Sequence, residues 1–414
     1  MTSLIITSIA VFLAVILLLV AILLVSKNYL SSSGQVKVLL NGKQELETAV
    51  GGTLLGTLAE NNIFLSSACG GKGSCAQCRC QVPEGGGEIL PTEKVHFSRK
   101  EQANHWRLGC QVKVKQDMKV EVDESVLGVK KWECEVISNR NVATYIKEFI
   151  VKLPEGEHMN FQPGSYAQID IPAYELKYSD FAIEKQFHED WDKYKMWDLT
   201  CKNEEPTIRA YSMANYPAEG DVITLNVRIA TPPFDPKTKG FMKVSPGIAS
   251  SYIFSLKPGD KVVMSGPYGD FHPILDSKNE MLYIGGGAGM APLRAHVLHL
   301  LKTLEVTDRK ISYWYGARSK GEIFYEEDFR ELEKKFPNFS FHIALSAPLP
   351  EDNWTGYVGF IHDVIYQQYL KDHEAPEDIE YYMCGPGPMS KAVEKMLDEQ
   401  GVPPANIMFD DFGA

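Results

Sequence analysis

The sequence predicts a multidomain chain with one N-terminal apolar helix. After it come a small α+β domain, an antiparallel β-barrel and an α/β domain with a parallel sheet. Three observations carry this reading. The 414 residues exceed what one core usually organises, since domains run about 100 to 200 residues. Leu4 to Val25 forms a 22-residue run without a charge. The remainder changes pattern twice, from a cysteine- and glycine-rich stretch to alternating β-type runs, and then to apolar strands each followed by a turn or helical segment. The boundaries read as 1–26 for the apolar helix, 27–34 for a linker, then 35–128, 129–274 with an insertion at 171–205, and 275–414. With 44% apolar and 23% charged residues the chain can pack several cores and is not disordered. Its net charge of -12 has the wrong sign for broad attraction to a phosphate backbone, so nucleic acid is not expected as a partner.

As a helix, Leu4 to Val25 would be about 33 Å long, enough to cross a bilayer. A cleaved signal peptide competes with that reading, but its apolar core runs about 7 to 15 residues behind a basic start, and Met1 to Ser3 contains no Lys or Arg. The run is therefore expected to be a single-pass anchor in contact with membrane lipid. Lys27, Lys37 and Lys43 follow it and no basic residue precedes it, which places the bulk of the chain in the cytoplasm by the positive-inside rule. Thr7 and Ser8 are its only polar side chains. Without an ionisable group it tethers or docks rather than carrying ions.

Disulfide frameworks belong to short secreted chains, and four of the eight cysteines fall within residues 69–80, so metal ligation in a reducing compartment is the better expectation. VKVLLN and TLLGTLAENN, a strand and a short helical pattern, lead into CGGKGSCAQC. Cys69, Cys75 and Cys78 have the spacing Cys-x5-Cys-x2-Cys, and Cys110 follows in RLGCQV. Structural zinc usually uses two Cys-x2-Cys knuckles, whereas three thiolates in one glycine-lined loop with a distant fourth resemble a ferredoxin. The implied fold is ferredoxin-like (β-grasp) and the implied group a [2Fe-2S] cluster on Cys69, Cys75, Cys78 and Cys110. Five residues separate the first two ligands, one more than in the plant type and as in adrenodoxin-like ferredoxins. Gly70, Gly71 and Gly73 let the loop turn tightly and aim N–H groups at sulfur. Cys80 is read as a packed thiol, not a ligand.

From about Trp132, runs such as VITLNVRIA alternate with Pro and Gly turns, the pattern of a small antiparallel barrel. Within it RAYSMAN, Arg209 to Asn215, reads by itself as a solvated strand, and GIASSYIF, Gly247 to Phe254, as a helix start suited to phosphate. Together with SGPYGDF they resemble the ferredoxin-NADP reductase superfamily, whose flavin motif is Arg-x-Tyr-Ser. The resemblance implies that Arg209 pairs with the FAD pyrophosphate, Tyr211 lies against the ring system or ribityl chain, and Ser212 bonds near flavin N5. Gly247, Ala249, Ser250 and Ser251 would cradle the pyrophosphate.

EMLYIGGGAGMAPLRAHVLHLL reads as an apolar strand, a glycine-rich turn and an amphipathic helix, without the G-x-G-x-x-G order of the standard dinucleotide fingerprint. ISYWYGAR, FSFHIALS and EYYMCGPGPM supply further apolar strands, so a parallel sheet with a crevice at its strand ends is expected. The superfamily resemblance puts a nicotinamide nucleotide there, on Gly285, Gly286, Gly287, Gly289, Gly385 and Pro386, with Cys384 approaching the nicotinamide ring. A terminal aromatic shields flavin in related reductases, a role that passes to Phe412, while Phe409 is expected to pack as the last strand residue.

Anchor, ferredoxin, flavin barrel and nucleotide domain in this order resemble the F-subunit family of sodium-translocating NADH:quinone oxidoreductases over essentially the whole chain. The resemblance implies a bacterial inner-membrane protein that takes hydride from NADH onto FAD. Single electrons would then go to the cluster, to other subunits of a respiratory complex, and to quinone. Reductase components of multicomponent monooxygenases share the three soluble modules and are the alternative, though they lack an insertion like 171–205. That insertion holds seven aromatics and nine acidic against five basic residues, and it either caps the barrel or docks a partner. A tethered electron carrier without working nucleotide sites is a third reading, opposed by the intact RAYS, GGGAG and CGP. Arg318 and Lys320 would suit a 2′-phosphate, while Glu322 would either repel one or turn away and pack against Tyr325, so the residues leave NADH and NADPH open and the family resemblance favours NADH.

Overall fold

The computed structural model describes residues 6, 9, 12–22 and 34–410, apart from 236, 238, 239 and the side chain of residue 125. They form two compact units, 1–128 and 129–414. Residues 12–22 make helix α1. Both ends of the expected Leu4–Val25 span lie outside the described residues, and among those described no helix is long and apolar enough to cross a membrane.

In the first unit, strands β1 (Gln35–Leu40), β2 (Gln44–Ala49), β3 (Arg79–Glu84), β4 (Trp106–Leu108) and β5 (Met118–Glu121) form one sheet in the order β2-β1-β5-β3-β4. Only the β1–β5 pair is parallel. Helix α2 (Leu54–Glu60) starts at Thr53, whose hydroxyl accepts from the Gly56 N–H at 3.1 Å and so satisfies one orphan donor. Its Leu54 and Leu58 are fully buried with Val38, Leu40 and Val120, each contributing about 1.5–3 kcal/mol by leaving water. Short helices α3 (Pro91–Lys94) and α4 (Arg99–Ala103) precede β4.

The second unit begins with an antiparallel sheet of β6 (Lys130–Ala143), β7 (Ile146–Lys152), β8 (Tyr166–Ile171), β11 (Thr207–Ser212), β12 (Val222–Arg228) and β15 (Lys261–Tyr268), ordered β11-β8-β15-β6-β7-β12. A bridge from Met213 to Leu225 links the chain beyond one edge strand to the other edge. Between β8 and β11 the insertion folds as a two-stranded ribbon, β9 (Tyr174–Lys177) with β10 (Thr200–Asn203), around helix α5 (His188–Lys193). Tyr178, Phe181, Phe187 and Trp191 of this segment are buried in the same core as Phe149 and Ile169. These four aromatics cap the sheet, while Tyr174, Tyr194 and Trp197 are partly exposed. A small hairpin, β13 (Phe234–Asp235) and β14 (Gly240–Phe241), precedes helix α6 (Ile248–Ser255).

The rest is a parallel sheet of β16 (Met281–Gly286), β17 (Ile311–Ala317), β18 (Phe339–Leu345), β19 (Tyr357–Val358), β20 (Glu380–Cys384) and β21 (Ile407–Asp410), ordered β19-β18-β17-β16-β20-β21. Side chains alternate between faces with period two. Tyr283, Tyr313 and Tyr382 pack towards α7 (Met290–Leu298) and α8 (Glu326–Lys335), while Leu282, Ile284 and Met383 pack towards α9 (Ile361–Gln368) and α10 (Gly387–Glu399). The strand order reverses between β16 and β20, and such a reversal opens a crevice at the strand C-termini. Helix α7 departs from the amphipathic expectation, since every one of its residues except Arg294 is buried. It has protein on both sides: Arg294 bonds the Ala214 carbonyl at 2.8 Å, and His296 stacks on Phe271, both residues of the preceding half of the unit.

Candidate functional site

The cysteine loop lies between α2 and β3. Gly70, Gly71 and Gly73 take φ of 66°, 84° and 78°, the left-handed region that costs glycine nothing. Burial raises the Cys69 thiol, but N–H groups of Cys75, Ser74 and Lys72 outweigh it and hold the thiol at about 6. A bond to Cys78 lowers Cys110 to about 7, and the same bond, with burial, pushes Cys78 up. The thiols thus meet in pairs, Cys69 with Cys75 and Cys78 with Cys110. Among the described residues no three ligand groups converge on a single ion. Charge also couples Cys75 to Cys78 and Cys69 to Cys110, so the four thiols lie together with N–H groups on sulfur, a donor set that fits a two-iron cluster. Cys110 is held in place by a buried ion pair: Arg107 meets Glu93 at 2.8 Å, and Glu93 also accepts the Leu108 N–H at 3.0 Å. Gln111, which sequence reasoning passed over, donates from its side-chain amide to Cys110 Sγ at 3.5 Å. Cys80 is buried on β3, and loss of water pushes its thiol up to about 12.

In the second unit a cavity of about 380 Å³ is lined by Arg209, Tyr211, Ser212, Gly247, Ala249 and Ser250, with Ala288 and Ala291 from the parallel-sheet half. The residues singled out in RAYS and GIASS, 35 or more positions apart in the chain, are brought together here, with one exception. Ser251 is fully buried and does not line the cavity. Its hydroxyl donates to the Gly247 carbonyl at 2.8 Å and meets Tyr178 at 2.9 Å, so the expected phosphate contact from that side chain is corrected to an internal one. The Ser250 hydroxyl is likewise engaged, donating to Gly247 O at 3.1 Å and accepting the Ala230 N–H at 3.0 Å. What the start of α6 can offer an anion is backbone N–H, not hydroxyl.

A second cavity, about 440 Å³, lies at the strand ends and is lined by Gly286, Gly287, Gly316, Arg318, Glu322 and Pro386 among others. Gly287 turns there at φ 56°, where a Cβ would meet only Arg228 Nη1 at 4.0 Å, whereas a Cβ on Gly289 would lie 2.0 Å from the Cys384 carbonyl oxygen. The first glycine clears the cavity and the second lets helix and strand pack. Gly285 is of the packing kind too, facing the Tyr313 hydroxyl, and Gly385 faces Met389. Cys384, at the end of β20, is fully buried and lines neither cavity. Phe412 lies outside the described residues. Phe409 departs from the expected packing: it is 55% exposed on the edge strand β21.

Two further residues emerge. Arg228 lines both cavities, and its signal was a lone cation in the apolar run VITLNVRIA. Asp410 accepts a hydrogen bond from the Ser212 hydroxyl at 2.5 Å, across 198 positions of chain, and nothing local announced it.

Three family models match in chain order: a 2Fe-2S iron-sulfur cluster binding domain over residues 38–115, an oxidoreductase FAD-binding domain over 186–272, and an oxidoreductase NAD-binding domain over 283–395. Among solved structures, an Amycolatopsis cytochrome P450 reductase, GcoB, aligns with TM-score 0.62 at 22% identity, covering 91% of this chain and 98% of that one, a likeness of fold alone. The F subunit of the Na(+)-translocating NADH-quinone reductase of Methylococcus capsulatus is 56% identical over 402 residues, 97% of each chain. Its namesake in Neisseria meningitidis serogroup B is 55% identical over 409 residues, 99% of each. With that identity over nearly its full length, the chain belongs to the family of F subunits of the Na(+)-translocating NADH-quinone reductase.

Proposed function

We propose that this chain is the NADH-oxidising subunit through which electrons enter a sodium-translocating NADH:quinone oxidoreductase, moving them from NADH to FAD, to a [2Fe-2S] cluster, and on through partner subunits to quinone. The observation that carries it is a loop of three thiols with a fourth beyond β4 in one unit and two cavities in the other, both lined by Arg228, in a chain with all three cofactor-domain matches. FAD, when bound, takes two electrons as hydride and gives them up singly, which a hydride donor and a one-electron cluster require.

The chain's own residues divide the work. Arg209 and the first-turn N–H groups of α6 hold the pyrophosphate, the guanidinium through charge-assisted bonds. Tyr211, half-buried, provides a flat wall. Ser212, its proton directed to Asp410, turns its lone pairs towards the cavity. Gly286, Gly287 and Pro386 border the nicotinamide nucleotide, with Arg228 between the two binding regions. For Cys384 to reach the nicotinamide, the turn at Gly385 has to shift. The boundaries 35–128, 129–274 and 275–414 are the proposed functional divisions, with the antiparallel sheet as a barrel closed near Met213.

Residues 1–26 are proposed to anchor the chain once in the inner membrane, with the soluble domains in the cytoplasm. No proposed ligand lies in that stretch, so its deletion is expected to give a soluble chain with full flavin and iron content and no membrane-coupled quinone reduction. Cofactor analysis and a membrane assay check this, and sodium transport by the truncated form would refute the anchor's role. The reductant test is rapid mixing. NADH is expected to bleach the flavin absorbance faster than NADPH, as the family of NADH-quinone reductase F subunits implies; Arg318 and Glu322, of opposite charge, both line the second cavity and do not decide the choice themselves. Faster, tighter reduction by NADPH would overturn the assignment.

A further inference from the structure

We infer that the 171–205 insertion is a brace that aims the N–H groups of the α6 start at the FAD pyrophosphate, with Tyr174 and Tyr178 as positioning residues. The inference rests on the FAD reading above.

Three consecutive carbonyls leading into α6 have partners that lead back to the insertion. The Pro246 carbonyl accepts from Cys201 Sγ at 3.8 Å, a weak contact. The Gly247 carbonyl accepts from Ser251 Oγ at 2.8 Å, and Ser251 in turn meets Tyr178 at 2.9 Å. Because the serine proton goes to Gly247, the phenol donates in that second bond. The Ile248 carbonyl accepts directly from the Tyr174 hydroxyl. Below them, Lys147 ties the insertion down by donating to the Ala182 carbonyl at 2.6 Å and to the Asn139 carbonyl at 3.1 Å. Asn139 binds the far end of α6 through Ile253 O and Leu256 O, both at 2.7 Å.

In a trans peptide the C=O of one residue and the N–H of the next point in opposite directions. The insertion holds the Ile248 carbonyl directly and the Gly247 carbonyl only through Ser251, beside the bonds that Gly247 accepts within α6 from Ser250 Oγ at 3.1 Å and the Ser251 N–H at 3.0 Å; the Ile248 and Ala249 N–H groups then lie on the opposite side of their peptides. Ile248 and Ala249 line the cavity. The first turn of a helix has no internal acceptors for its N–H groups. Held this way, they meet an anion without reorganising, and preorganisation of this kind raises affinity by reducing the ordering cost of binding.

The test compares FAD with riboflavin, which has no phosphate, on the full-length chain stripped of flavin. Tyr174→Phe with Tyr178→Phe removes both hydroxyls and keeps both rings. FAD affinity, from quenching of flavin fluorescence, is expected to fall about tenfold, the scale of one to two lost hydrogen bonds, with riboflavin affinity unchanged. An equal loss for both ligands would mean general loosening of the fold, and no loss for either would mean an idle insertion; each overturns the brace alone. A parent chain that binds FAD no more tightly than riboflavin would overturn the FAD reading and the brace with it. If the double variant does not accumulate, Tyr174→Phe, at a half-buried ring, is read against the same two ligands, with about a threefold loss expected for FAD only. Equal or absent change there counts against the brace in the same way.

Discussion

Replacing Cys78 with Ala is expected to leave a chain whose flavin NADH still reduces at the parent rate but which no longer passes electrons on. The thiol is one of four, it is buried, and it pairs with Cys110 across 32 positions of chain, so no neighbour can substitute. Cys80 is nearest in sequence, but it lies on β3 within the core. Even outer-shell changes at metal sites cost roughly 10–100-fold, and loss of a ligand is expected to exceed that, with quinone-linked turnover falling below detection. Iron content and the cluster's electron-paramagnetic signal give the first measurement, and stopped-flow bleaching of flavin the second. Because the thiols and the flavin cavity belong to different compact units, FAD content should be unaffected. Coupled loss of FAD would show that the units do not fold separately.

Ser212→Ala is expected to slow flavin reduction by NADH roughly 10²–10³-fold, the range for deleting one preorganised hydrogen-bonding group at a reacting centre, while FAD stays bound through Arg209 and α6. Asp410→Asn tests the partner. It keeps the shape but can present an amide N–H to the serine, which would reverse the direction of the bond and present the serine proton to the cavity. An intermediate loss of rate with unchanged FAD affinity is expected. If Ser212→Ala released flavin with no change in the reduction rate of the flavin that remained, the residue would belong to binding and not to the transfer step.

Much of this was legible in the sequence because the relevant signals are local. The Cys-x5-Cys-x2-Cys loop sets its own geometry through three glycines, and the RAYS strand carries its chemistry within four residues. Apolar strands with turns at their ends indicated the parallel sheet, since strands buried on both faces, as β16 and β20 are throughout, read as continuous apolar runs. What escaped was whatever depends on a second segment. Ser251 looks like a phosphate ligand until Tyr178, 73 positions earlier, is seen beside its hydroxyl. Asp410 gains its meaning only from Ser212. The pattern of α7 suggested one wet face because its polar residues, Arg294 and His296, interrupt an otherwise apolar helix. In fact the histidine is buried against the Phe271 carbonyl at 2.9 Å and the arginine bonds Glu219 at 2.9 Å. Tertiary partners engage both side chains, leaving Arg294 Nε and His296 Nδ1 buried without a hydrogen bond, and no periodicity reveals those partners.

The burial of α7 also bears on how such chains can be assembled in evolution. A helix covered on both sides cannot be inherited with only one of its neighbours, because the exposed side would be an apolar patch in water. The two halves of the second unit are therefore expected to be exchanged between proteins as a pair, and a gene fusion that cut between them would uncover the face of α7 that carries Ala291, Arg294 and His296. The first unit carries its own core and its own four thiols, so it is the part expected to move along a gene by itself.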